Sequence, residues 1–74
     1  MEKYKKQRIV YPRLRYLRED NDITQDKLAK MLNMSQTGYG KYETGENEVP
    51  VHILIKLSKL YNVSVDYMLG LTKK

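Results

Sequence analysis

The sequence contains no cysteine and one histidine, His52, among its 74 residues. Without cysteine there is no disulfide framework and no thiolate metal site, and a reducing compartment is the natural setting. With one histidine there is no His-pair metal site and no second partner for a catalytic dyad. No apolar run approaches the length of a membrane span, and Met1-Glu2-Lys3-Tyr4-Lys5-Lys6 lacks the apolar stretch of a secretory signal. The acids are scattered, with no paired-carboxylate arrangement, and no glycine-rich loop is present to cradle a phosphate. There is no internal repeat, no low-complexity segment and, apart from Ile9-Val10, no β-branched alternation. A chain this short forms one compact domain with a thin stability margin. The expectation is a soluble cytoplasmic protein that is not an enzyme and has no metal, cofactor, membrane partner or small-molecule effector of its own.

What the chain does have is unevenly distributed charge. Its net charge is +5. Residues 1–18 hold seven Lys/Arg against Glu2, for +6; residues 19–48 hold three Lys against seven acids, for −4; residues 49–74 hold four Lys against Asp66, for +3. A basic balance attracts polyanions, of which nucleic acid is the commonest. Taken alone this is a weak pointer, because many small domains are basic without such a partner.

Apolar periodicity and capping residues predict five short helices, an all-α domain. The first spans about Pro12 to Asn21, with Pro12 at the first helical position and Leu14, Leu17 and Arg18 facing inward. The second runs from Thr24, a good N-cap, to about Asn33, with Leu28, Ala29 and Leu32 as its stripe. Asn33 tolerates the left-handed turn that must follow. Ser35 opens the third helix, which runs to Glu43 or Thr44 before the stop signal Gly45. A loop leads to a fourth helix over about Val51–Tyr61, with Leu54, Leu57, Ser58 and Tyr61 on its core side. Ser64 caps a short fifth helix, Val65–Leu69, followed by Gly70. The domain therefore covers residues 11–71, between a basic arm or tail at 1–10 and a short tail at 72–74.

Two helices joined by a tight turn, the second opened by Ser-Gln, form the pattern of a helix-turn-helix. Ile23-Thr24-Gln25, Leu28-Ala29, Leu32, Met34-Ser35-Gln36, Tyr39, Tyr42-Glu43 and Gly45 resemble the Cro/repressor-like (xenobiotic-response-element type) helix-turn-helix family. Leu57, Tyr61-Asn62-Val63-Ser64-Val65-Asp66 and Leu69-Gly70 resemble that family's fourth and fifth helices. The likeness covers about residues 12–70 without a break in spacing. It implies a compact five-helix, lambda-repressor-like domain that binds double-stranded DNA, with the helix-turn-helix at helices two and three.

At ~100° per residue, Gln36, Thr37, Gly40 and Lys41 share an arc of roughly 140° on the third helix, while Tyr39, Tyr42 and Ser35 lie opposite. A solvated polar face is the plain alternative, but two interior glycines are costly in a helix that has only to stay soluble. Gly40 lies in the outward arc, where it either lets the backbone approach the groove floor or is simply tolerated. Gly38 borders the inward face, where it makes room for Tyr42 or a neighbouring helix. Base reading is expected from Gln36, Thr37 and Lys41, with Gly40 beside them; Lys41 can equally reach a phosphate. The resemblance implies phosphate contacts from Gln25, Arg18, Ser35, Thr44 and Asn47. It also implies an Arg18–Glu43 pair, either purely structural or aiming the guanidinium at a phosphate. Glu43, Tyr39, Tyr42 and Ala29 support the reading helix.

Two departures stand out: Asn33 replaces a frequent Gly, and Val51 occupies a position expected to cap the fourth helix. The family's usual arrangement is a homodimer on a palindromic operator, and Met68, Leu69 and Leu71 form either a candidate patch for it or ordinary core closure. The expected role is a transcriptional regulator acting as a repressor in a prokaryotic cell or phage-infected host, associated with the nucleoid. The alternative is an antitoxin- or antirepressor-like protein-interaction module with secondary DNA binding, for which the acidic middle section speaks.

Overall fold

The computed structural model describes residues 11–73. The expected basic arm, residues 1–10, and the last residue of the C-terminal tail lie outside them. Most of the helix starts and two of the helix ends are set by a side chain or a left-handed residue that takes up backbone groups the helix leaves free. Helix α1 is Leu14–Asp20, α2 is Gln25–Met31 and α3 is Gln36–Thr44. Helix α4 is Val51–Tyr61 and α5 is Val65–Met68. Among the described residues these helices are the only regular elements, so the fold is the all-α, five-helix arrangement expected.

The predicted caps sit in place. Thr24, Ser35 and Ser64 accept from the backbone N–H of Lys27, Gly38 and Tyr67 at 3.1, 3.0 and 3.0 Å. Asn33, between α2 and α3, takes φ 61°, and the Met34 N–H closes back on the Ala29 carbonyl at 2.9 Å. That closure is the six-to-one bond of a Schellman turn. Gly45 ends α3 at φ 83°, and Asn62 ends α4 at φ 57°.

Some boundaries depart from expectation. Pro12 is not the first residue of α1, which starts at Leu14. The Tyr11 hydroxyl is held deep in the fold, accepting from the Val49 N–H at 2.9 Å, so the chain is still turning at Pro12. Arg13 then lies outside the helix and donates to the Tyr67 carbonyl at 2.6 Å, its guanidinium 4.2 Å from the centre of the Tyr67 ring. Helix α5 stops at Met68, one residue early, and Gly70 follows at φ 80°. Val51 brings no cap, as its identity suggested: Pro50 precedes α4 without a side-chain bond, and its carbonyl alone receives the N–H groups of Ile53 and Leu54.

The core joins Leu14 and Leu17 of α1, Leu28 and Ala29 of α2, and Tyr39 and Tyr42 of α3 with Ile53, Leu54, Leu57 and Tyr61 of α4. Met68 is completely buried beneath them. It belongs to this core and not to an outward dimer patch; of the three residues proposed for that patch only Leu71 is strongly exposed. The result holds α3 by one side and leaves its other side uncovered.

Candidate nucleic-acid interface

On α3 the two sides separate as the helical wheel predicts. Tyr39 and Tyr42 are buried, their rings edge to face at 6.1 Å, while Gln36, Thr37 and Lys41 are exposed and Gly40 is half-buried. Ser35 is the exception. Being the N-cap, with extended backbone at φ −77° and ψ 155°, it lies off the helical wheel and is exposed.

Behind this surface a buried brace ties α1, α2 and α3 together. Arg18 Nε donates to Glu43 Oε2 at 2.7 Å and Nη2 to Oε1 at 3.2 Å, while Nη1 caps the Ile23 carbonyl at 2.9 Å. The side chains of this pair are only 10% and 5% exposed. Three Arg18 donor bonds are thus made inside the protein, and the Arg18–Glu43 pair is a buried ion pair. Gln25 Nε2 adds a third donor to Glu43 Oε1 at 3.0 Å. Burial works against the Glu43 charge, but the hydrogen bonds of Arg18 and Gln25, with the Tyr39 hydroxyl alongside, outweigh it and hold the carboxyl below the usual glutamate range. The hydroxyls of Tyr39 and Tyr61 are both buried; that of Tyr39 faces Glu43, and that of Tyr61 has no hydrogen-bond partner among the described residues. Burial raises both pKa values, that of Tyr61 to about 12.

The other candidate residues line the edges of this unit. Thr44 donates to the Lys41 carbonyl at 3.2 Å, and the Asn47 N–H reaches the same carbonyl at 3.2 Å, so both fold back over the end of α3. Gln25 and Ser35 stand at the N-terminal ends of α2 and α3, whose first-turn N–H groups form a positive end to each helix. Ala29 is buried in the core against α3. Gly38 does not make room for Tyr42 or a neighbouring helix, the roles its position suggested. A Cβ on Gly38 would press on Ser35 Oγ at 3.1 Å and Met34 Cε at 3.3 Å, not on Tyr42. A Cβ on Gly40 would face the Gln25 amide. The Gln25–Glu43 bond was not legible in advance, because residues 18 apart show no pattern and a lone Gln has many uses.

The sequence that builds this site has relatives. The sequence profile described as helix-turn-helix matches residues 14–68. The chain belongs to the helix-turn-helix family. Within it, the motifs are those of the Cro/repressor-like type. This helix-turn-helix chain is 43% identical over 60 residues to the uncharacterized HTH-type transcriptional regulator YobD of Bacillus subtilis, covering 81% of this chain and 54% of that protein. It is 39% identical to the SPbeta prophage-derived HTH-type regulator YonR of the same organism, covering 77% and 53%. To the HTH-type transcriptional regulator ImmR, also of Bacillus subtilis, it is 40% identical, covering 78% and 46%. The chain thus spans about half the length of the curated relatives it matches. No solved structure matches it.

A groove of about 360 Å³ opens elsewhere, lined by Tyr16, Asp20, Asn62, Ser64 and Tyr67 among others, and shares no residue with the α3 surface. Among the described residues no helix is long and apolar enough to cross a membrane, and no group of three or more His, Asp or Glu side chains could hold a metal ion.

Proposed function

We propose that this helix-turn-helix chain is the DNA-binding part of a transcriptional regulator and reads the major groove with α3. The observation that carries the reading is the division of α3: Gln36, Thr37 and Lys41 are exposed on one side while Tyr39 and Tyr42 lock the other into the core. Gln can pair with adenine in bidentate fashion, Thr can contact a thymine methyl, and Lys suits guanine acceptors. Gln25, Ser35, Thr44 and Asn47, at the ends of α2 and α3, position the helix on phosphates. Arg18 acts from behind, through Glu43. The relatives' names support a role in transcription. Repression follows most simply, by occluding a promoter. A homodimer on a palindrome supplies specificity that one module lacks, with half-sites ~34 Å apart, one turn of DNA. Such a protein works with the chromosome in the cytoplasm.

Selection from a random duplex pool tests this directly. Enrichment of a palindrome is expected, with binding lost when Gln36 and Lys41 are changed to Ala and the thermal melt kept. No enrichment at moderate salt, or binding unchanged in that double variant, would transfer the function to protein partners of antitoxin or antirepressor kind. The four net negative charges over residues 19–48 suit that reading.

A further inference from the structure

The groove of about 360 Å³ lies where the C-terminal ends of two helices meet: Asp20 is the last residue of α1, and Asn62 follows α4. Tyr16, one turn before Asp20, and Tyr67 of α5 supply its aromatic walls. Both helix ends bring the negative end of a dipole to this place. A carboxylate in the last position of α1 is therefore on the wrong side for folding, which favours a cation there. Asp20 takes no part in the ion pairs of the described residues, which join Arg15 to Glu19, Arg18 to Glu43 and Lys30 to Asp26. Packing does not account for Tyr16 either, since it is 57% exposed. Among the described residues no Lys or Arg lines the groove.

These features select the charge of an occupant. Whatever fills the groove takes water from the Asp20 carboxylate, and only a positive group offsets that cost. The aromatic walls favour the same charge, because the face of a tyrosine ring attracts ammonium and guanidinium groups. The Tyr67 ring already carries one, the Arg13 guanidinium at 4.2 Å. Arg13 is not part of the lining, but its charge keeps a second cation away from the Tyr67 end. We propose that the groove binds a small organic cation, with its ammonium or guanidinium between Asp20 and Tyr16 and its apolar body along Val63 toward Tyr67. Size favours a small molecule over a protein. Seven residues line the groove, against about 20–30 a side in a stable protein interface. Its volume falls in the ~300–1,000 Å³ range of small-molecule sites. The sequence pointed to no such ligand, because the two walls lie far apart along the chain. The site shares no residue with α3 and does not depend on the DNA reading.

Benzylamine, titrated into the full chain and followed by amide NMR, is the test. It should give saturable shifts at Tyr16, Asp20, Asn62 and Ser64. Neutral benzyl alcohol should bind about tenfold more weakly, the scale of one hydrogen bond to a charged group, and benzoate not at all. Asp20→Asn should weaken benzylamine by the same factor while melting at or above the native temperature, since an unfavourable charge leaves the helix end. Tyr16→Ala should cost about threefold, the scale of an exposed cation–π contact. Glu19→Gln, next in the chain but outside the groove, should bind as the native chain does. Equal binding of benzyl alcohol, native-like affinity in folded Asp20→Asn, or shifts spread over the other acids would each overturn the proposal. So would displacement of benzylamine by a synthetic peptide of residues 1–10 at lower concentration than the amine itself requires. That result would give the groove to the chain's own basic segment.

Discussion

Glu43 carries a charge inside a domain that has little stability to spare, and everything it touches depends on that charge. Removing it leaves the Arg18 guanidinium buried and unpaired, a loss of about 3–5 kcal/mol in comparable buried pairs. Against the ~5–15 kcal/mol of a typical native domain, Glu43→Ala should bring the urea midpoint sharply down; a midpoint near native would show that the pair contributes little. The pH dependence has a definite sign. The carboxyl titrates lower in the folded chain than in the unfolded one. Its contribution is therefore complete above the ordinary glutamate range, ~4.3, and is lost as pH falls through the lower folded value. Glu43→Gln should flatten that acid limb. The Arg18–Glu43 partnership was legible from the family spacing. Arg18 was read as inward-facing from its helical spacing and is buried; the burial of the Glu43 carboxylate was not legible, because nothing local in a polar-looking Glu says that helices will close over it. The Arg13–Tyr67 clasp was hidden for the same reason: its partners lie 54 residues apart.

Whole elements read more easily than their edges. Thr24, Ser35 and Ser64 as N-caps and Gly45 and Asn62 as stops were visible because capping is a local matter of one side chain and its own next turn. The start of α1 was misplaced because Pro12 suits a first turn in general, whereas here Tyr11 and Arg13 on either side of it are held by the distant Val49 and Tyr67. Two glycines, one in the middle of α3 and one just past its end, make the same point quantitatively. Gly40 has helical backbone and room for a methyl group, so Gly40→Ala should stabilise by up to ~1 kcal/mol. Gly45 sits at φ 83°, where a Cβ costs about 1–2 kcal/mol. At about 4–8 °C per kcal/mol for a domain of this size, the melting temperatures of the two alanine variants should move in opposite directions. A fall in both would mean that α3 is strained at Gly40 in a way the backbone angles do not record.

At the scale of the whole molecule, sequence-reading and grip are separated along the chain. Lys41 is the only cation of α3, and the central section around it is net negative. Strong attraction to a duplex must then come from the basic flanks, above all from residues 1–18 with their net +6. Lys3, Lys5, Lys6 and Arg8 lie in the part outside the described residues, so their contribution is best measured by removing them. Each cation that reaches a phosphate adds about 0.9 to the slope of log affinity against log salt. Deleting residues 1–10 should lower affinity and flatten that slope, while a half-site substitution opposite Gln36 or Thr37 still discriminates as strongly as before. Loss of discrimination together with affinity would mean that the flank, and not the open face of α3, selects the sequence. An unchanged slope would instead place the electrostatic contact on Arg13, Arg15 and the lysines of α4.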